Sequence, residues 1–349
     1  MSLVPATLQP LFAATLAEFG AAVAAHGGKS AHARELRRGV LRHGPRPFAD
    51  VELRRVVPPT GLRERLAATW RAASSTVAHA APAGDGSTKL VVALADGRSV
   101  ESVVMPAEKG HFAVCISSQV GCPVGCPFCA SGLGGLVRHL AAHEIVEQVA
   151  HARAVADVRR IVVMGIGEPL LNFDALLPAL DVLVAEGSFA EPRIVVSSVG
   201  FPERVRRLAA SGRRFGLAIS LHSIDDAQRD ALVPAMKGVA VREVIAAAAA
   251  WAHATGGRVQ FEYVVLRGVN DDLAACDELA RQLKGLSAYV NFIAWNDVPG
   301  LPFARPDDER VAAMVRRCRD LGLLATRRRT LGGEATAACG QLRRSLGGR

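Results

Sequence analysis

The sequence predicts an α/β protein: a partial (β/α)6 barrel with a small N-terminal helical domain, a β-hairpin linker and a C-terminal extension. Three observations carry this reading. From residue 111 onward, short apolar runs of strand length alternate with helix-length stretches about six times, the pattern of a parallel sheet closed or partly closed into a barrel. Before residue 88 the apolar spacing is helical. Between the two regimes Asp96-Gly97 joins two β-rich runs, a hairpin signal.

In chain order, helical periodicity covers Leu8 to Ala25, Ala31 to Leu41 and Leu62 to Ala73, and the small-residue run Ala80 to Ser87 reads as a linker. The hairpin strands are Lys89 to Leu94 and Ser99 to Met105. Barrel strands are expected at Phe112 to Ile116, Arg160 to Met164, Arg193 to Ser197, Phe215 to Ser220, Val259 to Val265 and Tyr289 to Ile293. Helices are expected at Ala142 to Val155, Phe173 to Ala185, Phe201 to Ala210, Arg242 to His253, Leu273 to Leu283 and Asp307 to Leu321. The division is 1–88 helical, 89–110 hairpin and linker, 111–323 barrel core and 324–349 basic extension, the last adding one strand and a loop. Barrels of this kind place their sites at the carboxyl ends of the strands.

A chain of 349 residues, half of them hydrophobic and 21% charged, is far from the composition of a disordered protein. Its longest apolar run, Val244 to Ala252, falls well short of a bilayer span, and the N-terminus lacks a secretory pattern, so a cytoplasmic protein without a membrane partner is expected. The net charge of +9 is uneven: residues 1–88 carry +5 and residues 313–349 carry +7, leaving −3 between them. Two basic ends suit a polyanion such as RNA or DNA. With 37 Arg against 5 Lys, the same charge also fits the surface of an Arg-biased proteome.

Seven cysteines, an odd number, do not form the framework of a small secreted domain. Three of them, Cys122, Cys126 and Cys129, sit on a Gly/Pro loop directly after a predicted strand. Three soft donors on one loop can hold three irons of a [4Fe-4S] cluster and leave the fourth iron open to a small molecule. Zinc borrowing His111 or His143, or a redox Cys-Pro-Phe-Cys pair, are the alternatives; the pair leaves Cys122 unexplained. Gly165 and Gly167 would let backbone approach a ligand, and Glu168 could accept hydrogen bonds from an ammonium group, although a plain βα turn has the same look. Ser197, Ser220 and His222 place polar groups at strand ends, where they either touch a ligand or cap helices. Cys276 and Cys318 read as buried structural thiols. Cys339, on a Gly-flanked loop in the basic tail, could be an exposed nucleophile.

The Cys-x3-Cys-x2-Cys loop resembles the signature of the radical S-adenosylmethionine superfamily. The motifs Cys115-Ile116-Ser117-Ser118-Gln119-Val120-Gly121-Cys122, Met164-Gly165-Ile166-Gly167-Glu168-Pro169, Ala218-Ile219-Ser220-Leu221-His222, Val269-Asn270-Asp271, Trp295-Asn296 and Ala337-Ala338-Cys339-Gly340-Gln341-Leu342 narrow the resemblance to the RlmN/Cfr family of RNA adenosine methyltransferases. It spans about Asp85 to Leu342. The resemblance implies a radical-SAM partial barrel, a [4Fe-4S] cluster on Cys122, Cys126 and Cys129, and S-adenosylmethionine held by Gly167, Glu168, Ser197, Ser220, Leu221, His222 and Asn296. It further implies that Cys339 is S-methylated and, after hydrogen abstraction by a 5′-deoxyadenosyl radical, adds its methylene to the base. Cys115 then resolves the adduct through a disulfide, and Glu101 accepts the ring proton.

By the same resemblance the partners are RNA, 23S rRNA at adenine 2503 or tRNA at adenine 37, and a flavodoxin or ferredoxin as electron donor, with the protein a monomer. C8 methylation, a different RNA target and a noncatalytic RNA-binding metalloprotein are the other readings. The sequence departs from the family pattern at Gly135-Leu136-Val137-Arg138-His139-Leu140, Ala294-Trp295-Asn296-Asp297, Leu331-Gly332 and Ser30-Ala31-His32, which touches substrate choice more than chemistry.

Overall fold

The computed structural model describes residues 8–328 and centres on a ten-stranded sheet. Six strands, Phe112–Cys115, Val158–Val163, Ile194–Ser198, Gly216–Ser220, Val259–Val265 and Ala288–Ala294, lie side by side in chain order and pair in parallel. Parallel neighbours need long crossovers, and these contain the helices Ala142–Val155, Phe173–Ala185, Pro202–Ala210, Val241–Thr255 and Ala274–Gln282, with Asp308–Asp320 after the sixth strand. Ala325–Arg327 pairs in parallel with that sixth strand, as expected of the start of the tail. Among the described residues the margins of the sheet are Ala325–Arg327 and Thr76–Pro82, and the barrel they form is partial.

Strand alternation sorts the side chains between two faces. Val114, Ile161, Val163, Ile194, Val196, Leu217 and Ile219 join the main core under the helices. On the opposite, hollow face Cys115, Val162, Val195 and Ala218 pack with Val103, Met105 and Met164 in a small separate cluster. The hairpin is present as Thr88–Ala93 and Ser99–Pro106, turning at Gly97, whose φ of +81° is the left-handed geometry that glycine supplies. It continues the barrel sheet, because Ser99–Pro106 pairs antiparallel with Phe112–Cys115.

Three expectations are corrected. The linker expected at Ala80 to Ser87 is strand as far as Pro82: Thr76–Pro82 pairs antiparallel with Thr88–Ala93, and only the turn after it is irregular. Its side chains are mostly exposed, so no apolar alternation announced it, while backbone pairing requires none. The helix expected at Leu8 to Ala25 begins only at Leu16, where Thr15 and Glu18 form a capping box; Gln9–Pro10 instead pairs with Trp70–Arg71. That pairing also ends the helix expected at Leu62 to Ala73, which stops at Ala67. Two elements were not anticipated: the ribbon of Gln119–Gly121 with Leu136–His139, and the helix Asp226–Leu232.

The N-terminal helix Ser30–His43 is locked to the barrel by Arg37. Its buried guanidinium donates to both carboxylate oxygens of Glu186, at 2.6 and 3.0 Å, and to the carbonyls of Leu11 and Ala14. Such a pair is costly to break from one side only, because the remaining charge stays buried.

Candidate active site

The cysteine loop begins where Gly121 adopts a φ of +77°. A Cβ there would lie 2.0 Å from the Gly135 carbonyl, so only glycine lets the ribbon close, with the Cys122 amide donating to that carbonyl at 3.0 Å. Short-range bonds then wind the loop: the Cys129 amide donates to the Cys126 carbonyl, and the Gly132 amide to the Cys129 carbonyl. Distant segments pin it. The Trp295 indole N–H donates to the Phe128 carbonyl at 2.8 Å, the His222 ring meets the Phe128 ring edge-on at 5.1 Å, and the Ala235 amide donates to the Val124 carbonyl.

The thiols of this loop are poor acids on their own. Burial pushes Cys122 up to about 12, and the nearby Cys129 and Glu168 add to the rise; burial and the same neighbours push Cys126 well above its ordinary value. Three crowded, half-withdrawn thiols become thiolates only when a strongly positive group compensates them, which is the chemistry of a metal-cluster donor set. Three thiols on one loop, with no fourth protein donor from that loop, match a cluster that keeps one iron open better than a closed four-ligand zinc site. His111 is not available to such a site: it pairs with Asp157 at 3.1 Å, before the first barrel strand, while the cysteine loop follows that strand.

Around the loop stand the carboxyl ends of the next strands. Glu168 is 2% exposed, and its oxygens accept from the backbone amides of Leu170 at 3.1 Å and Val199 at 2.8 Å, tying two strand ends together. Burial raises its carboxyl to about 7 against those bonds. Gly165 and Gly167 approach protein rather than open space. A Cβ on Gly165 would strike the Ile116 carbonyl at 2.7 Å, and one on Gly167 would strike Gln119 and Ser118. Both glycines let the segment after the second strand pack on the segment after the first.

Ser197 and Ser220 bring their hydroxyls to 3.5 Å across neighbouring strands. The backbone then turns through His222, a non-glycine residue with φ of +62°, held by amide bonds from Leu221 and His222 to the Glu262 carbonyl. Asn270 donates to the His222 carbonyl at 2.7 Å, and the Val264 amide donates to His222 Nδ1. Burial lowers His222 to about 3, so the ring is neutral and carries its proton on Nε2. Asn296 is held by Arg305, which donates to its Oδ1 at 2.8 Å.

Cys115 is 4% exposed on the hollow face, opposite Val103 in the register. Glu101 lies two residues from Val103, on the same face, 2% exposed, with Lys89 Nζ 4.0 Å from its carboxylate. The structure therefore brings Cys115 and Glu101 onto one side of adjacent strands. Cys276 and Cys318 are fully buried in helices, as expected of structural thiols. Cys339 lies outside the described residues. Sequence reading gave no role to Asn172, which donates to the Ser118 and Leu140 carbonyls, nor did it notice the buried Arg229; neither bears a spacing signal.

A three-cysteine loop after the first strand of an incomplete parallel barrel, facing polar strand ends, defines a radical SAM enzyme, and the Radical SAM superfamily model matches residues 116–280. Over 337 residues the chain is 37% identical to the probable dual-specificity RNA methyltransferase RlmN of Thermosynechococcus vestitus, covering 96% of this chain and 98% of that protein. It is 41% identical over 262 residues to a probable RNA methyltransferase of Stutzerimonas stutzeri, 75% of either chain. The crystal structure of a radical SAM methyltransferase from Sphaerobacter thermophilus matches it with a TM-score of 0.87 and 37% identity, over 95% of this chain and 98% of that one. The chain belongs to the RlmN family. Its cofactors are a [4Fe-4S] cluster and S-adenosylmethionine. No helix among the described residues is long and apolar enough to cross a membrane.

Proposed function

We propose that this RNA methyltransferase acts on a ring carbon of adenine, C2, and does so through a methyl group carried on Cys339. The observation that supports it most is Cys115: a buried thiol apart from the three-cysteine loop, on the hollow face beside Glu101. A radical SAM enzyme that used only its cluster would not need that thiol. Cys122, Cys126 and Cys129 hold the cluster, and Gly167, Glu168, Ser197, Ser220, Leu221, His222 and Asn296 form the S-adenosylmethionine site. When bound, the cluster and S-adenosylmethionine supply one-electron reduction and hydrogen abstraction.

The residues do the rest. Cys339 sulfur carries the methyl group whose carbon becomes bonded to the base. Glu101 accepts the proton leaving the ring carbon, with Lys89 Nζ 4.0 Å from its carboxylate. Cys115 sulfur then attacks Cys339 sulfur; the sulfur–methylene bond breaks, its electron pair passes to the methylene, and a proton completes the new methyl group. The hollow face, lined by Val103, Met105, Val162 and Val195, keeps water from this exchange. The RNA is 23S rRNA or tRNA, and a flavodoxin or ferredoxin supplies electrons.

Two measurements test this. RNA from a deletion strain should lack a 2-methyladenosine present in the parent; loss of 8-methyladenosine would reassign the carbon, and an unchanged RNA would refute the reading. Purified Cys115→Ala should carry RNA joined covalently to Cys339, and Cys339→Ala should carry none and make no product. Product formation by Cys339→Ala would end the proposed mechanism.

A further inference from the structure

Arg229 is a buried cation whose hydrogen-bond partners are backbone carbonyls rather than a carboxylate. It sits on the helix Asp226–Leu232, just after the Ser220–His222 turn, and is 1% exposed. Its Nε donates to the Leu221 carbonyl at 3.1 Å and its Nη2 to the Val199 carbonyl at 2.5 Å, while the buried Nη1 has no partner. The neighbouring carboxylates are committed elsewhere: Asp226 accepts from the Val241 amide, and Asp230 from the Gly238 amide. A buried charge left in this state is expensive, and proteins keep one where an opposite charge faces it.

The opposite charge is at the cysteine loop. The segment after the Arg229 helix packs on that loop, the Ala235 amide donating to the Val124 carbonyl at 3.2 Å. The Leu221 carbonyl that Arg229 holds directly precedes His222, whose ring lies 5.1 Å from that of Phe128 in the loop; a thiolate at Cys126, like Asp230 and Asp226, would favour the cationic form of Arg229. A [4Fe-4S] core with three thiolates carries net negative charge, and reduction makes it more negative, so a fixed cation nearby stabilises the reduced form.

We propose that Arg229 is a positioning residue that also acts electrostatically. It clamps the backbone at Val199 and Leu221, and it is the fixed counter-charge that makes the cluster easier to reduce by a low-potential one-electron donor. The inference rests on the assignment of Cys122, Cys126 and Cys129 to the cluster. The two roles separate by substitution. Arg229→Lys keeps the charge and loses the two-pronged clamp; Arg229→Gln keeps hydrogen-bonding capacity and loses the charge.

The experiment is a redox titration of the anaerobically reconstituted, full-length protein, following the reduced cluster by electron paramagnetic resonance. At a fixed poised potential, Arg229→Gln should lower the reduced-to-oxidised ratio about tenfold, which for one electron is a shift of about 59 mV to more negative potential. Arg229→Lys should restore the wild-type ratio while its S-adenosylmethionine affinity, read by equilibrium dialysis, falls severalfold. Cluster retention by Arg229→Lys together with its loss from Arg229→Gln would support the charge requirement as well. An unchanged potential in Arg229→Gln, or loss of the cluster from both variants alike, would overturn the proposal and leave Arg229 as scaffold. A wild-type protein that takes up no cluster would instead refute the site assignment itself.

Discussion

Cys122 and Cys126 are held in surroundings that oppose the thiolate, so on the proposed ligand set cluster uptake releases protons. Reconstitution should therefore proceed further at pH 8.5 than at pH 6.5, bind about four irons per chain, and fail in the Cys122→Ala, Cys126→Ala, Cys129→Ala triple variant. Iron and sulfide analysis checks it; a full cluster in the triple variant would refute the ligand set. At this scale the sequence was most legible where chemistry depends on spacing along the chain, as in the cysteine loop. Glu168 is expected from the sequence to accept from an ammonium group; the structure adds that its oxygens also accept from the amides of Leu170 and Val199. Val199 is remote enough in sequence that no local pattern foretells the bond.

Among the elements, the helix Ala142–Val155 was predictable from its apolar spacing, and Glu144 caps it by accepting from the Ala141 amide at 2.8 Å. Its buried polar face was not. Glu147 accepts from the amides and hydroxyls of Ser74 and Ser75, and the Ser75 hydroxyl lies 3.1 Å from His151 Nε2, which moors the edge strand Thr76–Pro82 to the helix. Burial lowers His151 to about 4 from 6.5. With the folded value below the unfolded one, the unfolded chain binds more protons between the two, so this contribution is complete above pH 6.5 and lost as pH falls towards 4. The shift corresponds to at most about 3 kcal/mol. His151→Gln should flatten the fall in stability over that window, measured by urea unfolding at several pH values. The slope should shrink rather than vanish, because His222, lowered to about 3, acts in the same direction. An unaltered slope would show that His151 is not held neutral.

Across the whole molecule, the basic N-terminal region is attached to the barrel through Arg37 and Glu186, and it exposes Arg34, Arg54 and Arg55. If these three meet RNA phosphates, replacing them with Gln should reduce the slope of log affinity against log salt by about 2 without lowering the melting temperature. Anisotropy titrations at several salt concentrations check this; an unchanged slope would leave them as solvated surface. The sequence by itself determined the alternation of strands and helices, the hairpin at Asp96-Gly97 and the cysteine loop, because each is written in spacings of a few residues. It did not reveal the strand Thr76–Pro82, whose exposed side chains leave no alternating pattern and whose order comes from backbone pairing. Only the tertiary structure decided that Cys115 and Glu101 share the hollow face, that Glu168 ties the amides of Leu170 and Val199, and that Arg229 lies buried against the Leu221 and Val199 carbonyls. Those relations are set by strand register and by packing between segments tens of residues apart, where the favourable contact is made by partners that the local sequence does not contain.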